Sequence, residues 1–203
     1  VDDVIDVMRE EATEDMLKLA GTDDEEILSR SAFGAARIRF PWLFVSWLGG
    51  VMAINIVTGF QSTLSRVVAL AAFMPVINGM GGNIGSQSAT ITVRGLATGR
   101  LLGRGILPVV LKELRTGVLL GVGYGVLLFG VAQFLEGNTR LSIVVGSSIC
   151  ASMVFASVLG SLLPMLFHRV DVDPAVASGP FVTTCLDIIG ISVYFLLATA
   201  LLL

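Results

Sequence analysis

The chain has 203 residues, of which 54% are hydrophobic and only 14% are charged, and its mean hydropathy is +0.86. Soluble domains carry about 25% charged residues, so the composition argues against an ordinary soluble protein. With a net charge of −3, no nucleic-acid partner is expected either. The composition predicts an all-α integral membrane protein, whose first partner is the lipid bilayer.

The charges are unevenly distributed along the chain. Eleven of the sixteen acidic residues lie in positions 1–26, where Arg9 and Lys18 are the basic residues, so this segment carries −9 and the remainder +6. This distribution predicts an acidic, water-exposed region, residues 1–36, followed by a transmembrane domain, residues 37–203. Because the chain begins at Val1 in mid-pattern, we expect it to be part of a longer protein.

The acidic region begins with a predicted amphipathic helix at 2–20. Glu11, Glu14 and Asp15 stand at i, i+3 and i+4, which places three carboxylates on one helix face. Like charges so close repel each other unless a cation screens them. The face is therefore either a solvated surface or a divalent-cation sensor. The sequence at 22–25 then resembles a capping box that opens a second short helix.

Five apolar runs follow, each long enough to cross a bilayer. They are predicted at about 41–61, 66–97, 107–135, 141–167 and 174–203. If the N-terminal segment is cytoplasmic, eleven of the thirteen Lys and Arg residues lie inside, and only Arg66 and Arg140 lie outside. This bias predicts a multi-pass protein of the cell (inner) membrane with a cytoplasmic N-terminus and an external C-terminus.

Two stripes of small residues predict close contacts between helices. They are Gly117, Gly121 and Gly125 in the third run, and Ser148, Ser152, Ala156 and Gly160 in the fourth. Small side chains allow helix backbones to approach each other in lipid. Such stripes also suit the association of two chains into a homodimer.

The second run contains an unusually polar stretch, residues 73–90, with Pro75, four glycines and three amide side chains. An unpaired amide in hydrocarbon costs roughly 2–7 kcal/mol, so broken, polar helix is tolerated only inside a bundle or along a wet cavity. We therefore expect a broken helix that lines a conduction pathway. Asn83 and Gln87 are four residues apart, hence on one face, and Asn78 precedes them.

The fifth run holds Asp187, the only acidic residue deep within an apolar run. Gly179, Thr183 and Asp187 recur every four residues on one helix face, with Thr184 beside them. Pro180 is expected to free the backbone carbonyl one turn back. The face thus presents a carboxylate, hydroxyls and carbonyls, and these hard oxygen ligands favour Mg²⁺, Ca²⁺ or Mn²⁺ over zinc or copper.

A single Asp187 leaves half of a divalent charge uncompensated. A two-fold dimer would place two such carboxylates around one axis, consistent with the small-residue stripes. Because Mg²⁺ dehydrates reluctantly, the amides of Asn78, Asn83 and Gln87 are expected to bind its water shell. Ligand type alone does not separate Mg²⁺ from Mn²⁺ or Co²⁺.

The two membrane motifs resemble those of a known family. The residues from Pro75 to Thr90, with the pattern Gly-Gly-Asn-x-Gly-x-Gln-Ser, resemble the signature of the MgtE family of magnesium channels and transporters. Ser-Gly-Pro-Phe-Val-Thr-Thr, which leads to Asp187, is similar to that family's fifth span. The resemblance implies a homodimer with five spans per protomer and a central pore.

The resemblance also implies roles for particular residues. Asp187 matches an aspartate that holds a hydrated Mg²⁺, helped by backbone groups that match Thr183 and Gly179. Acidic residues that match cytosolic Mg²⁺-sensing positions are Asp3, Asp6, Glu11, Glu14 and Asp15. The start of the chain is similar to the end of a CBS domain leading into a linking helix. Since the preceding cytosolic domains are missing here, we expect conduction without the normal closure by internal Mg²⁺.

The sequence therefore predicts a Mg²⁺-selective channel for magnesium uptake, with Mg²⁺ as the transported ion. The alternative is a coupled divalent-cation exchanger, in which Asp187 shuttles a proton. An enzyme is not expected, because an intramembrane aspartyl protease needs two coupled aspartates and a lone His168 builds no metal cluster.

Overall fold

The computed structural model describes residues 2–23, 31–101, 103–175 and 179–203, with side chains in the first range described from Asp6 onward except Met8 and Arg9. These residues form seven helices and no strand, which confirms the all-α prediction. The short helix predicted to open at 22–25 falls in a segment outside the described residues.

The helices differ in their suitability for a membrane. In chain order they are α1 (Asp2–Leu19), α2 (Ala32–Gly59), α3 (Gln61–Arg66), α4 (Leu70–Ala97), α5 (Ile106–Glu136), α6 (Thr139–Arg169) and α7 (Pro180–Leu202). By length and composition, α2, α5, α6 and α7 are able to cross a membrane. At 1.5 Å per residue α4 is about 42 Å long, longer than a hydrocarbon core of about 30 Å, but its polar residues keep it out of that apolar group.

Helix α2 begins earlier than the predicted first span. The side chain of Ser31 caps it by accepting a hydrogen bond from the Gly34 backbone N–H at 3.0 Å. The helix then continues through Pro41, where the span was predicted to begin. The predicted boundary was wrong because a capped helix of 28 residues tolerates the loss of the hydrogen bond that proline cannot donate.

Helix α4 corrects the prediction of a broken second span. It runs without interruption through Pro75 and the glycines. Each glycine costs about 1 kcal/mol of helix propensity relative to alanine, but Gly81 and Gly85 are buried against other helices. A methyl group at Gly81 would lie 2.8 Å from the Ser152 hydroxyl, so the glycines permit packing that stabilises the helix.

Helix α6 is at the centre of the bundle and packs against α4, α5 and α7. On the α5 side, a methyl group at Gly125 would lie 2.8 Å from the Gly146 carbonyl oxygen. On the α4 side, Gly160 contacts the backbone of Gly85. The small-residue stripes are thus buried helix contacts, as the sequence predicted. Because they are buried within one protomer, they do not supply the surface for a homodimer that the sequence also assigned to them. Gly137, in the left-handed conformation at φ +62°, ends α5 before the turn into α6.

Helix α7 is held by polar contacts near its C-terminal end. The Tyr194 hydroxyl donates a hydrogen bond to the Leu70 carbonyl at 2.8 Å. The hydroxyls of Thr63 and Thr199 lie 2.8 Å apart. On its other side α7 packs against α2, where Gly49 is the one buried residue described in that helix. Most of the α2 surface is therefore exposed in a single protomer.

Candidate functional site

Helices α4 and α7 pack side by side in opposite directions. Near the start of α4, a methyl group at Gly190 would lie 3.3 Å from the Asn78 amide oxygen. Further along α4, Gly85 contacts the side chain of Leu186. Because later residues of α4 contact earlier residues of α7, the two helices are antiparallel. The polar positions of both helices are thus brought to corresponding depths.

A cavity of about 230 Å³ lies between these helices near the N-terminal end of α7. Thr183 and Gly179 line it from α7, and Ser86 and Thr90 line it from α4. Other lining residues are Leu19 and Ala20 at the end of α1, Ser46 of α2, and Pro180. The structure thus brings two of the four predicted residues of the fifth span into one polar cavity, which the end of α1 adjoins.

Asp187 lies one helical turn beyond Thr183, toward the C-terminal end of α7. It is exposed in the single protomer. In the part of the chain that the structure describes, its carboxylate has neither a hydrogen bond nor an ion pair. The only charged side chain of α7 is therefore presented on the outer surface of the protomer.

The amides of α4 show the same exposure. Asn83 and Gln87 are exposed, while Asn78 is half-buried beside Gly190. Asn83 lies about one turn before Ser86 on α4, and Asp187 lies one turn after Thr183 on α7. Because the two helices are antiparallel, both residues lie on the same side of the cavity. By helix phase, two exposed amides and an exposed carboxylate therefore share the region beyond the cavity.

The two remaining predictions for the fifth span have different outcomes. The methyl group of Thr184 packs against Gly49 of α2, and Thr184 does not line the cavity. Pro180 occupies the first turn of α7, where its missing N–H costs no helical hydrogen bond. The prediction that Pro180 loosens a helix was therefore wrong, and the carbonyl expected near position 176 lies outside the described residues.

The acidic helix α1 packs against the loop that precedes α7. The ammonium of Lys18 donates a hydrogen bond to the Asp173 carboxylate at 2.6 Å and forms an ion pair with Glu14 at 2.5 Å. A methyl group at Gly179 would lie 2.9 Å from the Lys18 carbonyl oxygen. Burial alone would lower the pKa of Lys18, but the hydrogen bonds to Asp173 and Glu14 outweigh burial and raise it.

The predicted sensing residues of α1 lie in different surroundings. Asp6 and Glu11 are exposed, Glu14 pairs with Lys18, and the side chain of Asp3 lies outside the described part. Burial raises the pKa of the Asp15 carboxyl, and the negative charges of Asp173 and Glu11 raise it further.

A second cavity lies under this face of α1, with a volume of about 560 Å³. Glu11 and Asp15 line it from α1, and Arg94, His168 and Asp173 line it from the bundle. Among the described residues, no three acidic, histidine or cysteine side chains are close enough together to hold a metal ion. The cavity is therefore an acidic cleft that a cation would partly neutralise, and not a preformed metal cage.

Replacing Asp173 with asparagine should loosen the docking of α1. Asparagine retains an oxygen that can accept the Ala175 N–H, now bonded to Asp173 at 2.8 Å, but it loses the charge that faces Lys18. A partly exposed ion pair contributes about 0.5–1 kcal/mol, so amide hydrogen exchange in α1 should become about two- to fivefold faster.

Asp171→Asn is the matched control for this change. Asp171 lies two residues away at φ 56°, a conformation that asparagine tolerates, and it has no ion pair within the described ranges. Exchange in α1 should remain at the wild-type rate in this variant. Equal acceleration in both variants would show that Asp173 does not hold the helix.

The sequence interpretation missed a buried carboxylate at Glu113 of α5. It is 5% exposed and accepts a hydrogen bond from the Ser88 hydroxyl of α4 at 2.7 Å. Its other oxygen lies 3.5 Å from the Lys112 ammonium. The signal was present, because Ser88 belongs to the polar stretch of α4 and Glu113 interrupts an apolar run.

Comparison with known proteins identifies a family for this chain. A family profile described as "MgtE: Divalent cation transporter" matches residues 74–197. The match begins just before Pro75 and continues past Asp187, so it includes both polar stretches.

Three curated relatives match nearly the whole chain. "Magnesium transporter MgtE" of Thermus thermophilus is 42% identical over 206 residues, covering 100% of this chain and 45% of the relative. The protein of that name from Bacillus subtilis is 38% identical, covering 98% and 44%. The one from Enterococcus faecalis is 36% identical, also covering 98% and 44%. This sequence therefore spans less than half the length of these relatives, and it belongs to the MgtE family of divalent cation transporters.

Proposed function

We propose that this chain forms the membrane pore of a Mg²⁺-selective channel that takes up magnesium across the cell membrane. The relatives at 36–42% identity are named magnesium transporters. The candidate ligands of α4 and α7 are carboxylate, amide, hydroxyl and backbone oxygens. These hard ligands suit Mg²⁺, and the set contains none of the soft sulfur ligands that favour copper or zinc. The chain acts as a transporter and not as an enzyme.

The observation that carries this proposal is the exposed carboxylate of Asp187 on an apolar helix. A charged side chain at the bilayer centre costs at least about 2.5–3.5 kcal/mol, so lipid is a poor neighbour for this surface. A second copy of the chain around a two-fold axis would remove it from lipid. Two Asp187 carboxylates would then balance the charge of one divalent cation.

The same arrangement suits a hydrated ion. Mg²⁺ retains several waters when bound by one or two carboxylates. The exposed amides of Asn83 and Gln87 would accept hydrogen bonds from those waters and donate hydrogen bonds to them. Asn78 would do the same nearer the start of α4. The backbone at Thr183 and Gly179 would receive the ion where it enters the cavity near α1. Thr184, which packs on α2, would position α7 and not contact the ion.

We place five helices in the membrane, α2, α4, α5, α6 and α7, with the N-terminus in the cytoplasm and the C-terminus outside. Helix α4 is long enough to span, and its polar surface is compatible with lipid only if it lines the pore. Arg94 lies near the same end of the bundle as α1. Arg66 and Arg140 then lie on the outer side, which agrees with the positive-inside bias.

The acidic face of α1 would sense cytosolic Mg²⁺. Glu11, Asp15 and Asp173 line one cleft, where burial and then the negative charges of Asp173 and Glu11 raise the pKa of Asp15. A divalent cation would relieve the repulsion between these charges. Asp3, Asp6 and Glu14 belong to the same acidic helix. Since the end of α1 adjoins the Thr183 cavity, a cation at this face would favour the docked helix.

The alternative function is a coupled exchanger of Mg²⁺, Mn²⁺ or Co²⁺. One intramembrane carboxylate is sufficient to carry a proton in the opposite direction. Uptake by an exchanger would depend on the proton gradient, whereas uptake through a channel would depend only on the Mg²⁺ concentration gradient and the voltage.

The direct test of transport is Mg²⁺ uptake into liposomes that contain the purified protein and a Mg²⁺-sensitive dye. Uptake should exceed that of protein-free liposomes by at least about tenfold, the factor that corresponds to 1.4 kcal/mol. Mn²⁺ and Co²⁺, added singly, would establish the order of preference. Uptake at the rate of protein-free liposomes, with correctly folded protein, would refute the proposed function.

A further inference from the structure

A basic cavity lies at the end of the bundle that α1 contacts, away from the α4–α7 site. It is formed between the last turns of α4 and the first turns of α5, and its volume is about 560 Å³. Its cationic lining residues are Arg94, Arg100, Arg104 and Lys112. Arg94 also lines the acidic cleft under α1.

The cavity has a net positive charge. The acidic residue that lines it is Glu113, whose carboxylate is 5% exposed and already bonded to Ser88. Lys112 is near Glu113 but remains 70% exposed. Within the described ranges Arg100 and Arg104 have no acidic partner. The cavity is therefore suited to a ligand that carries negative charge.

A mainly apolar groove, whose lining also includes Arg115 and Thr116, continues from this cavity along α5. The groove has a volume of about 470 Å³ and shares Pro108 and Lys112 with the basic cavity. Its walls include Leu111 and Leu119, which are 40% and 76% exposed. A charged cavity beside an apolar groove on a membrane helix matches a molecule with an anionic head and a hydrocarbon chain.

We propose that this composite surface binds an anionic phospholipid. The phosphate of the headgroup would lie among Arg94, Arg100 and Arg104, and an acyl chain would lie along α5 against Leu111 and Leu119. Basic pockets between membrane helices are suited to such headgroups. The proposal requires that the helices lie in a bilayer, but it does not depend on which ion the protein carries.

The chemistry separates this ligand from two simpler ones. Inorganic phosphate supplies the charge but no chain for the groove. Phosphatidylcholine supplies the chain, but its headgroup has no net charge. Because of the groove, we expect the anionic phospholipid to bind more tightly than inorganic phosphate. Because of the arginines, we expect it to bind more tightly than phosphatidylcholine.

The test is lipid titration of the purified protein in detergent, followed by native mass spectrometry. Phosphatidylglycerol should bind with higher affinity than phosphatidylcholine of the same chain length. Each basic side chain near an anionic lipid contributes about fivefold, so R100Q/R104Q should weaken phosphatidylglycerol binding roughly 10- to 30-fold. The matched control R66Q/R140Q removes the same charge at two exposed arginines outside this cavity, and should bind within about twofold of wild type.

Three results would overturn the proposal. They are equal binding of the two lipids, equal weakening in the two double variants, and displacement of phosphatidylglycerol by inorganic phosphate at equal concentration. The last result would assign the cavity to a free anion. A size-exclusion profile unchanged from wild type confirms that each variant is folded before titration.

Discussion

Asp187→Asn is expected to lower Mg²⁺ uptake into liposomes by at least about tenfold while the protein stays folded. Asparagine keeps the size of the side chain and removes its charge. At an effective dielectric constant of about 20, a unit charge and a dication 5 Å apart attract by roughly 7 kcal/mol. Hydration of the ion offsets much of this attraction in the variant, but a loss of only about 1.4 kcal/mol already corresponds to a tenfold change in binding.

The matched control for this variant is Glu136→Gln. Glu136 ends α5 and is exposed, so the same change from carboxylate to amide should leave uptake at the wild-type level. Folding is checked by size exclusion, which also reports whether each variant keeps the oligomeric state of the wild type. Unchanged uptake in a folded Asp187→Asn protein would move the ion site to the face of Asn83 and Gln87 and would disprove the role given to Asp187.

Gly160→Ala is expected to destabilise the bundle by about 1–3 kcal/mol, the usual cost of overpacking a core. The added methyl group would collide with the Gly85 carbonyl oxygen of α4. Because that contact is with backbone, no side-chain rotation relieves it, and α4 must move away from α6. Thermal unfolding in detergent should show a lower midpoint, and uptake should fall because α4 carries Asn83 and Gln87.

Gly123→Ala is the control for this substitution. Gly123 lies within α5, and a methyl group there meets no atom within 4 Å. Alanine favours helix by about 0.5–1 kcal/mol over glycine, so its midpoint should equal or exceed that of wild type. If Gly160→Ala unfolds at the same temperature as Gly123→Ala, the α4–α6 contact is looser than described.

The helical class and the main packing stripes followed from local patterns. Apolar runs of membrane length predict helices, and residues four apart necessarily share a face. This is why the stripe from Gly117 to Gly125, and that from Ser148 to Gly160, were identified as helix contacts.

Helix boundaries at prolines did not follow from the sequence. Pro41, Pro75 and Pro180 were each interpreted as a start or a break, but the first two lie inside helices and the third opens one. Proline is compatible with each of these positions at a different energetic cost. In α4 the helix is stabilised by the packing of Gly81 and Gly85 against other helices. These tertiary contacts cannot be predicted from the local sequence.

Contacts between distant segments were also beyond the sequence. Lys18 and Asp173 are 155 residues apart, and nothing local connects an acidic helix to a loop near α7. Ser88 and Glu113 similarly meet only after α4 and α5 pack. Helix phase did place Gly179 and Thr183 on one face, and both line the cavity near α1, whereas the orientation of Thr184 toward Gly49 depended on where α2 lies.

The most direct measurement is Mg²⁺ current through a planar bilayer that contains the purified protein, recorded at pH 6 and pH 8 under a fixed potential. At −100 mV, entry of a divalent ion is favoured by about 4.6 kcal/mol, so no coupling ion is needed. The proposed channel predicts an inward Mg²⁺ current that is present at both pH values and persists without a proton gradient. A flux that carries no net current, or one that requires a proton gradient, would contradict the channel and establish the exchanger.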